Sequence, residues 1–265
     1  MFSHFFIVKA FIVGFFVAVS TALLGTILVL KHYSLIGDGL SHVSFSAYTI
    51  ALSLNLIPVI FAFPIVILTS FFLLWISESG KIKSDAALAI ISNSFLSIGV
   101  VVVSVTSGMN INIWSFMFGS VLAISDFDLF LSVIFSIFVV LVFVIFYNKF
   151  FIIIFDENFA KVLGIKLSFY NFLIAVLISI IVVVGTKIVG ALLMSSLIVF
   201  PTLTSMRIFK KFKLVAVSSV FVSVFCFIFG LLISYIFSWP TGATVVLMNL
   251  FLFCVFSLIS FLHKS

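Results

Sequence analysis

Two residues in this 265-residue chain stand at a spacing that does chemistry. Asp38 and His42, in Ser34-Leu-Ile-Gly-Asp38-Gly-Leu-Ser41-His42, are four positions apart. On a helix that spacing puts both side chains on one face, with Cβ atoms about 5–6 Å apart. A carboxylate oxygen and an imidazole nitrogen so placed suit borderline divalent ions such as zinc or manganese better than alkali ions or organic solutes. The same spacing also fits an Asp38 that caps a helix by accepting from its first-turn amides, with His42 merely interfacial. Two ligands leave a zinc site incomplete, since zinc usually takes four.

The other polar residues offer less. Lys187, in Gly185-Thr-Lys-Ile-Val-Gly190, is expected to snorkel to the outer interface. Asn93 reads as an interhelical hydrogen-bonding residue, and Gly190, Ala191, Ser195 and Ser196 as a packing face on a helix containing Pro201. No Gly-x-x-x-x-Gly-Lys-Ser/Thr phosphate loop, His-Glu-x-x-His or Gly-x-Ser-x-Gly occurs, and no second intramembrane aspartate is expected to pair with Asp38. Neither catalytic residues nor a permanently bound cofactor are expected. Cys226 and Cys254, each inside an apolar run, read as fillers rather than as a disulfide or metal pair.

The elements that must hold Asp38 and His42 are legible from composition. Hydrophobic residues make up 65% of the chain, charged residues 8%, and there are 38 phenylalanines; soluble domains carry roughly 45–50% apolar and about 25% charged residues. A soluble globular domain, a disordered tail and a nucleic-acid-binding module are thereby excluded. The expected class is an all-α polytopic protein embedded in lipid, a single domain over residues 1–265. A span takes about 20 apolar residues, because the hydrocarbon core is roughly 30 Å thick. Nine candidates qualify: Phe5 to Leu30, Gly39 to Leu56, Pro58 to Ile76, Ala86 to Thr106, Leu129 to Phe146, Leu167 to Val184, Ile188 to Met206, Leu214 to Ile236 and Ala243 to Leu262. The count falls to eight if a marginal segment does not cross. Ile113 to Ser125 is too short to span and reads as a re-entrant half-helix. The first 25 residues lack a basic n-region and a small-residue cleavage site, so they are read as a mature helix.

The net charge of +6 reflects topology rather than an acidic partner. Loops Lys31–Gly37, Ser77–Asp85, Tyr147–Lys166, Arg207–Lys213 and His263–Ser265 hold eleven of the 13 Lys and Arg residues, leaving only Lys9 and Lys187 on the other side. The positive-inside rule puts these loops and the C-terminus in the cytoplasm, and nine spans put the N-terminus outside.

The run Lys31-His-Tyr-Ser-Leu-Ile-Gly37-Asp38-Gly-Leu-Ser41-His42 closely resembles the Gly-Asp-x-x-Ser/Ala-His signature of bacterial zinc and manganese ABC-transporter permeases, the ZnuB-like family. Similar motifs follow in order: Ser84-Asp85-Ala-Ala-Leu-Ala-Ile, Ser97-Ile-Gly99-Val, Phe116-Met-Phe-Gly119, Ala160-Lys-Val-Leu-Gly164-Ile-Lys, and Lys187-Ile-Val-Gly190-Ala-Leu-Leu-Met-Ser-Ser-Leu-Ile-Val-Phe-Pro201. The resemblance covers about residues 20 to 250. The chain departs from it at Asn93, where relatives often have His, and at Ser238 before Trp239-Pro240-Thr-Gly242, where many have an acidic residue.

The resemblance implies a type II ABC-importer permease in the bacterial cytoplasmic membrane. It implies a homodimer served by a cytoplasmic ATPase that binds ATP, and by an extracytoplasmic metal-binding protein. It implies that Asp38 and His42 are pathway ligands for Zn²⁺ or Mn²⁺, and that the loop holding Asp156, Glu157, Ala160, Lys161 and Gly164 couples to the ATPase. The composition of that loop allows a short helix from Glu157 to Leu163 ended by Gly164 in a left-handed C-cap. If the ligand pair lies near a dimer axis, two copies supply two carboxylates and two imidazoles. The competing expectations are an ion-coupled secondary transporter or channel, which needs no ATPase, and an ABC permease for siderophore or cobalamin, whose bulk has less use for a chelating pair.

Overall fold

A computed structural model describes residues 5–79, 84–106, 119 and 125–262. Hydrocarbon offers no partner to a backbone amide or carbonyl, so a spanning chain must satisfy them internally, and helices do this within one segment. The described residues accordingly form helices joined by short turns, with no strand among them. In chain order these are α1 (Phe5–Leu30), α2 (Ile36–Ser53), α3 (Pro58–Ser79), α4 (Ser84–Val105), α5 (Asp126–Ile145), α6 (Tyr147–Phe155), α7 (Glu157–Val162), α8 (Leu167–Ile188), α9 (Ala191–Met206), α10 (Phe212–Phe237) and α11 (Thr241–Leu262).

All nine segments expected to cross are helical. Seven of the described helices, α1, α3, α4, α5, α8, α10 and α11, are long and apolar enough to span a membrane. The other two fall short for different reasons. In α2 the 18 residues include Asp38, His42 and a series of serines, whereas α9 is apolar but only 16 residues long. Several boundaries differ from the expected ones. α5 begins at Asp126 rather than Leu129, because Ser125 caps it. The chain breaks between α8 and α9 at Gly190, with φ 96°, so the segment expected to start at Ile188 starts at Ala191. Tyr147 to Lys166, expected to be mainly loop, holds the helices α6 and α7. The expected re-entrant piece, Ile113 to Ser125, lies outside the described residues except for Gly119 and Ser125.

α1 is the hub. It packs on α5, α8, α9 and α10, while α2 lies among α3, α4, α8 and α9. Serine and threonine hydroxyls are made compatible with burial by donating to carbonyls one turn back: Thr21 to Val17 O at 2.7 Å, Ser41 to Gly37 O at 2.8 Å and Ser179 to Ala175 O at 2.7 Å. A few cross between helices. Ser223 Oγ donates to Ala18 O at 3.0 Å, and Ser44 and Thr186 share a hydrogen bond of 3.0 Å.

α1 and α9 approach most closely at Gly25, where a Cβ would lie 2.1 Å from the carbonyl oxygen of Ile198. The obstacle is backbone, so it cannot rotate away, and overpacking of this kind costs about 1–3 kcal/mol or more. Gly25→Ala is therefore expected to lower the melting temperature of the detergent-solubilised protein and shift its size-exclusion profile towards aggregate.

Candidate metal-binding site

Asp38 occupies the first turn of α2 and His42 the next turn. Two serines of that turn of sequence face inward and are fully buried, Ser41 and Ser44, leaving Asp38 and His42 on a more open side. His42 Nε2 stands 3.9 Å from Asp38 Oδ2, with the side chains 21% and 49% exposed. That is too long for a hydrogen bond. Ligand bonds of about 2.0–2.2 Å at a tetrahedral centre set neighbouring donor atoms about 3.4 Å apart, so a small rotamer change brings both atoms onto one ion.

The capping alternative does not hold. The N-cap position of α2 is Leu35, with no side-chain cap hydrogen bond, and Asp38 lies three residues inside the helix. Its charge still benefits from the positive end of the helix. Among the described residues no group of three or more His, Cys, Asp or Glu side chains stands close enough to hold a metal ion.

Next to this side of α2 runs α4, whose Leu88 and Ser92 approach Gly39 and whose Gly99 approaches Phe45 and Ser46. Asn93, Ser94, Ser97 and Ser104 of α4 are exposed in the single chain. Asn93, Ser97 and Ser104 fall on one stripe at helical spacing. The Asn93 side chain is thus on the surface of the chain, and its backbone carbonyl accepts from Ser97 Oγ at 2.8 Å.

Sequence reasoning missed a second intramembrane carboxylate. Asp128 is 7% exposed, and its carboxylate accepts from the Lys187 ammonium and from Ser125 Oγ, the latter at 2.8 Å. Lys187 therefore pairs with a buried aspartate instead of snorkelling. The signal was present as Ser125-Asp-Phe-Asp128, a capping-box spacing in which Asp128 N–H also donates back to Ser125 Oγ at 3.1 Å. This pair is separate from Asp38 and His42. It sits at the other end of α2, beside Tyr48, whose hydroxyl donates to Val183 O at 3.2 Å.

The candidate coupling residues lie together, with distinct jobs. Asp156 caps α7, accepting from Phe159 N–H at 2.9 Å. Ala160 is fully buried in a small core with Ile153 and Ile165. Gly164, with φ +75°, closes a Schellman motif in which Ile165 N–H donates to Ala160 O and Gly164 N–H to Lys161 O, both at 3.0 Å. The helix ends at Val162, with Leu163 as its C-cap, one residue short of expectation. Glu157 faces Lys31, with its carboxylate 3.2 Å from the ammonium. What α7 presents outward is Lys161 and an apolar group, Phe159, Val162 and Leu163, each more than half exposed.

Comparison with known proteins places this arrangement. The model of a family described as the ABC 3 transport family matches residues 3–260. A Haemophilus influenzae protein named "Probable iron transport system membrane protein" is 32% identical over 98% of this chain and 92% of its own length. The manganese import system permease protein ScaB of Streptococcus gordonii is 28% identical over 94% of this chain and 90% of its own. Among solved structures, PsaBC from Streptococcus pneumoniae in complex with Fab superposes with a TM-score of 0.86, at 27% identity, over 96% of this chain and 91% of that one.

The Lys187–Asp128 pair makes a prediction of its own. Removing one partner strands a charge, whereas removing both does not. Lys187→Met is expected to lower stability by about 1–3 kcal/mol, and Lys187→Met combined with Asp128→Leu to recover much of that loss. Thermal unfolding of the single and double variants in nanodiscs checks both.

Proposed function

The chain belongs to the ABC 3 transport family, and from that premise we propose that it is the membrane-spanning permease subunit of an ATP-driven importer of divalent metal, manganese or zinc. The observation that carries the reading is the Asp38–His42 pair: a carboxylate and an imidazole on one face of a membrane helix, close enough for one ion and not consumed as a cap. Ionisable groups at such a position are costly unless they serve a pathway or find a partner. Manganese and zinc both accept mixed nitrogen and oxygen ligands, and the manganese system named for a relative agrees with that chemistry.

The permease acts as a homodimer in this proposal. Two copies with the Asp38–His42 faces opposed provide two carboxylates and two imidazoles, the four ligands a tetrahedral ion needs. The exposed Asn93, Ser97 and Ser104 stripe of α4, adjoining that face, supports it, since polar side chains in a bilayer favour a protein neighbour over lipid.

Energy comes from a separate cytoplasmic ATPase that docks on α7. The apolar Phe159, Val162 and Leu163, standing out from a segment that also carries Lys149, Lys161 and Lys166, form a knob suited to an apolar groove with an acidic rim. Metal arrives from an extracytoplasmic binding protein. The direction of α1, from Lys9 outside to Lys31 inside, puts α7 on the cytoplasmic side.

Uptake of radioactive Mn²⁺ or Zn²⁺ into proteoliposomes tests the reading. Transport is expected only with the ATPase subunit and ATP, with Asp38→Asn and His42→Ala each reducing it to background while dimer and ATPase still co-purify. Uptake by the permease alone, or wild-type uptake by either variant, rejects it. Docking has a separate test. Val162→Glu is expected to weaken ATPase capture about tenfold, the scale of one interface anchor. Gly164→Val meets no steric obstacle, as nothing lies within 4 Å of an added Cβ, but a β-branched residue is strained at positive φ. It is expected to weaken capture less than Val162→Glu, and metal affinity is expected to stay unchanged in both.

A further inference from the structure

One charged side chain that this mechanism does not use is almost wholly buried. The Lys31 side chain is 6% exposed, and its ammonium contacts Oε1 of the 45% exposed Glu157 side chain at 3.2 Å and donates to Asn171 Oδ1 at 3.0 Å. The Tyr33 ring centroid lies 5.9 Å away. These partners come from three places. Glu157 is the first residue of α7, Asn171 lies in the first turns of α8 and is itself buried, and Tyr33 belongs to the connection into α2.

The connection from Lys31 to the metal-ligand pair is short and built from hydrogen-bonded turns. α1 ends in a Schellman motif with His32 at φ 62°: Tyr33 N–H donates to Leu28 O at 2.8 Å and His32 N–H to Val29 O at 3.1 Å. Ile36 N–H donates to Tyr33 O at 3.1 Å, and α2 starts at that residue. Asp38 follows in the same turn. No flexible linker separates the Lys31 ammonium from the Asp38 carboxylate. α7 is equally constrained on its own side, by its Asp156 cap, the buried Ala160 and the Gly164 turn.

The Lys31 ammonium is largely withdrawn from solvent, so separating it from the half-exposed Glu157 carboxylate is unfavourable and the two are favoured to move together. We propose that Lys31 is the transmission residue of this permease: through its contacts with Glu157 and Asn171 it ties the position of the ATPase-docking helix α7 to the position of the Asp38–His42 turn. It is a positioning residue. It touches neither metal nor nucleotide, and it converts a displacement of α7 into a displacement of the ligand-bearing end of α2. This assignment rests on the permease reading above.

The test uses the reconstituted complex of permease and ATPase in proteoliposomes, with Mn²⁺ as the probe. Lys31→Met is expected to keep ATPase capture and Mn²⁺ affinity within about twofold of wild type while Mn²⁺ transported per ATP hydrolysed falls about tenfold, the scale of a coupling between two sites. Lys31→Arg keeps the charge and the donors and is expected to retain most of the coupling. The exchange Lys31→Glu with Glu157→Lys restores the pair with reversed sign and is expected to transport more Mn²⁺ per ATP than either single change. Wild-type stoichiometry in Lys31→Met overturns the proposal. So does loss of ATPase capture in parallel with transport, which reduces Lys31 to a prop for the docking helix. Should Lys31→Met fail to assemble, the exchanged pair decides, and an exchange no better than its single changes overturns the proposal. Absence of ATP-dependent Mn²⁺ and Zn²⁺ uptake by the wild-type complex is a different failure, which strikes the permease reading itself.

Discussion

Hydrocarbon supplies no hydrogen-bond partner, and nearly every feature of this molecule answers to that fact. Backbone amides are committed to helices. Many hydroxyls that face the interior fold back onto carbonyls of their own helix or reach a neighbouring helix, as Ser223 reaches Ala18 and Ser44 meets Thr186. Charges follow the same rule. Lys9 pairs with Asp126 at one end of α1 and Lys31 with Glu157 at the other, while Lys187 holds Asp128 between α8 and α5. Arg207 lies over the Phe253 ring, its guanidinium carbon 5.2 Å from the centroid.

Against that background Asp38 and His42 are the exception, and the proposed function rests on that exception. They lie together without a hydrogen bond between them and partly exposed, whereas Lys187 and Asp128 are joined. On the proposed reading such a pair is satisfied by a cation and completed by further ligands from outside the chain. The proposed homodimer has a kinetic logic as well: a half-set on each protomer would bind an ion only while the two halves face each other, so a small movement of α2 would be enough to release it.

That movement is framed by how α2 is held. Its outer half is fixed to α8 through Tyr48 and Val183 and through Ser44 and Thr186. Its inner end is continuous with the turn at His32 and the Lys31 cluster. In the proposed permease the anchored outer half would act as a pivot, with the Asp38–His42 end towards the side from which an ATPase acts.

What the sequence by itself determined is whatever depends on neighbours along the chain. Apolar runs of about 20 residues marked the helices, the four-residue spacing of Asp38 and His42 marked two side chains on one helix face, and Gly164 marked the end of a short helix that begins at Glu157. Each of these is a property of one helical turn or one segment, set by residue type and helical geometry alone. Asp128 was legible in the same way, from Ser125 three residues before it, but the apolar run drew the helix start to Leu129. Only the tertiary structure decided the pairings. Lys187 and Asp128 are 59 residues apart in sequence, and Lys31 and Asn171 are 140 apart. Whether such residues meet depends on the rotation and register of one helix against another, and these are set by close contacts such as Gly25 against Ile198. Nothing in the local sequence around Lys31 distinguishes a lysine that snorkels into the headgroups from one that binds Glu157. Only the packing of α1, α7 and α8 around its ammonium does.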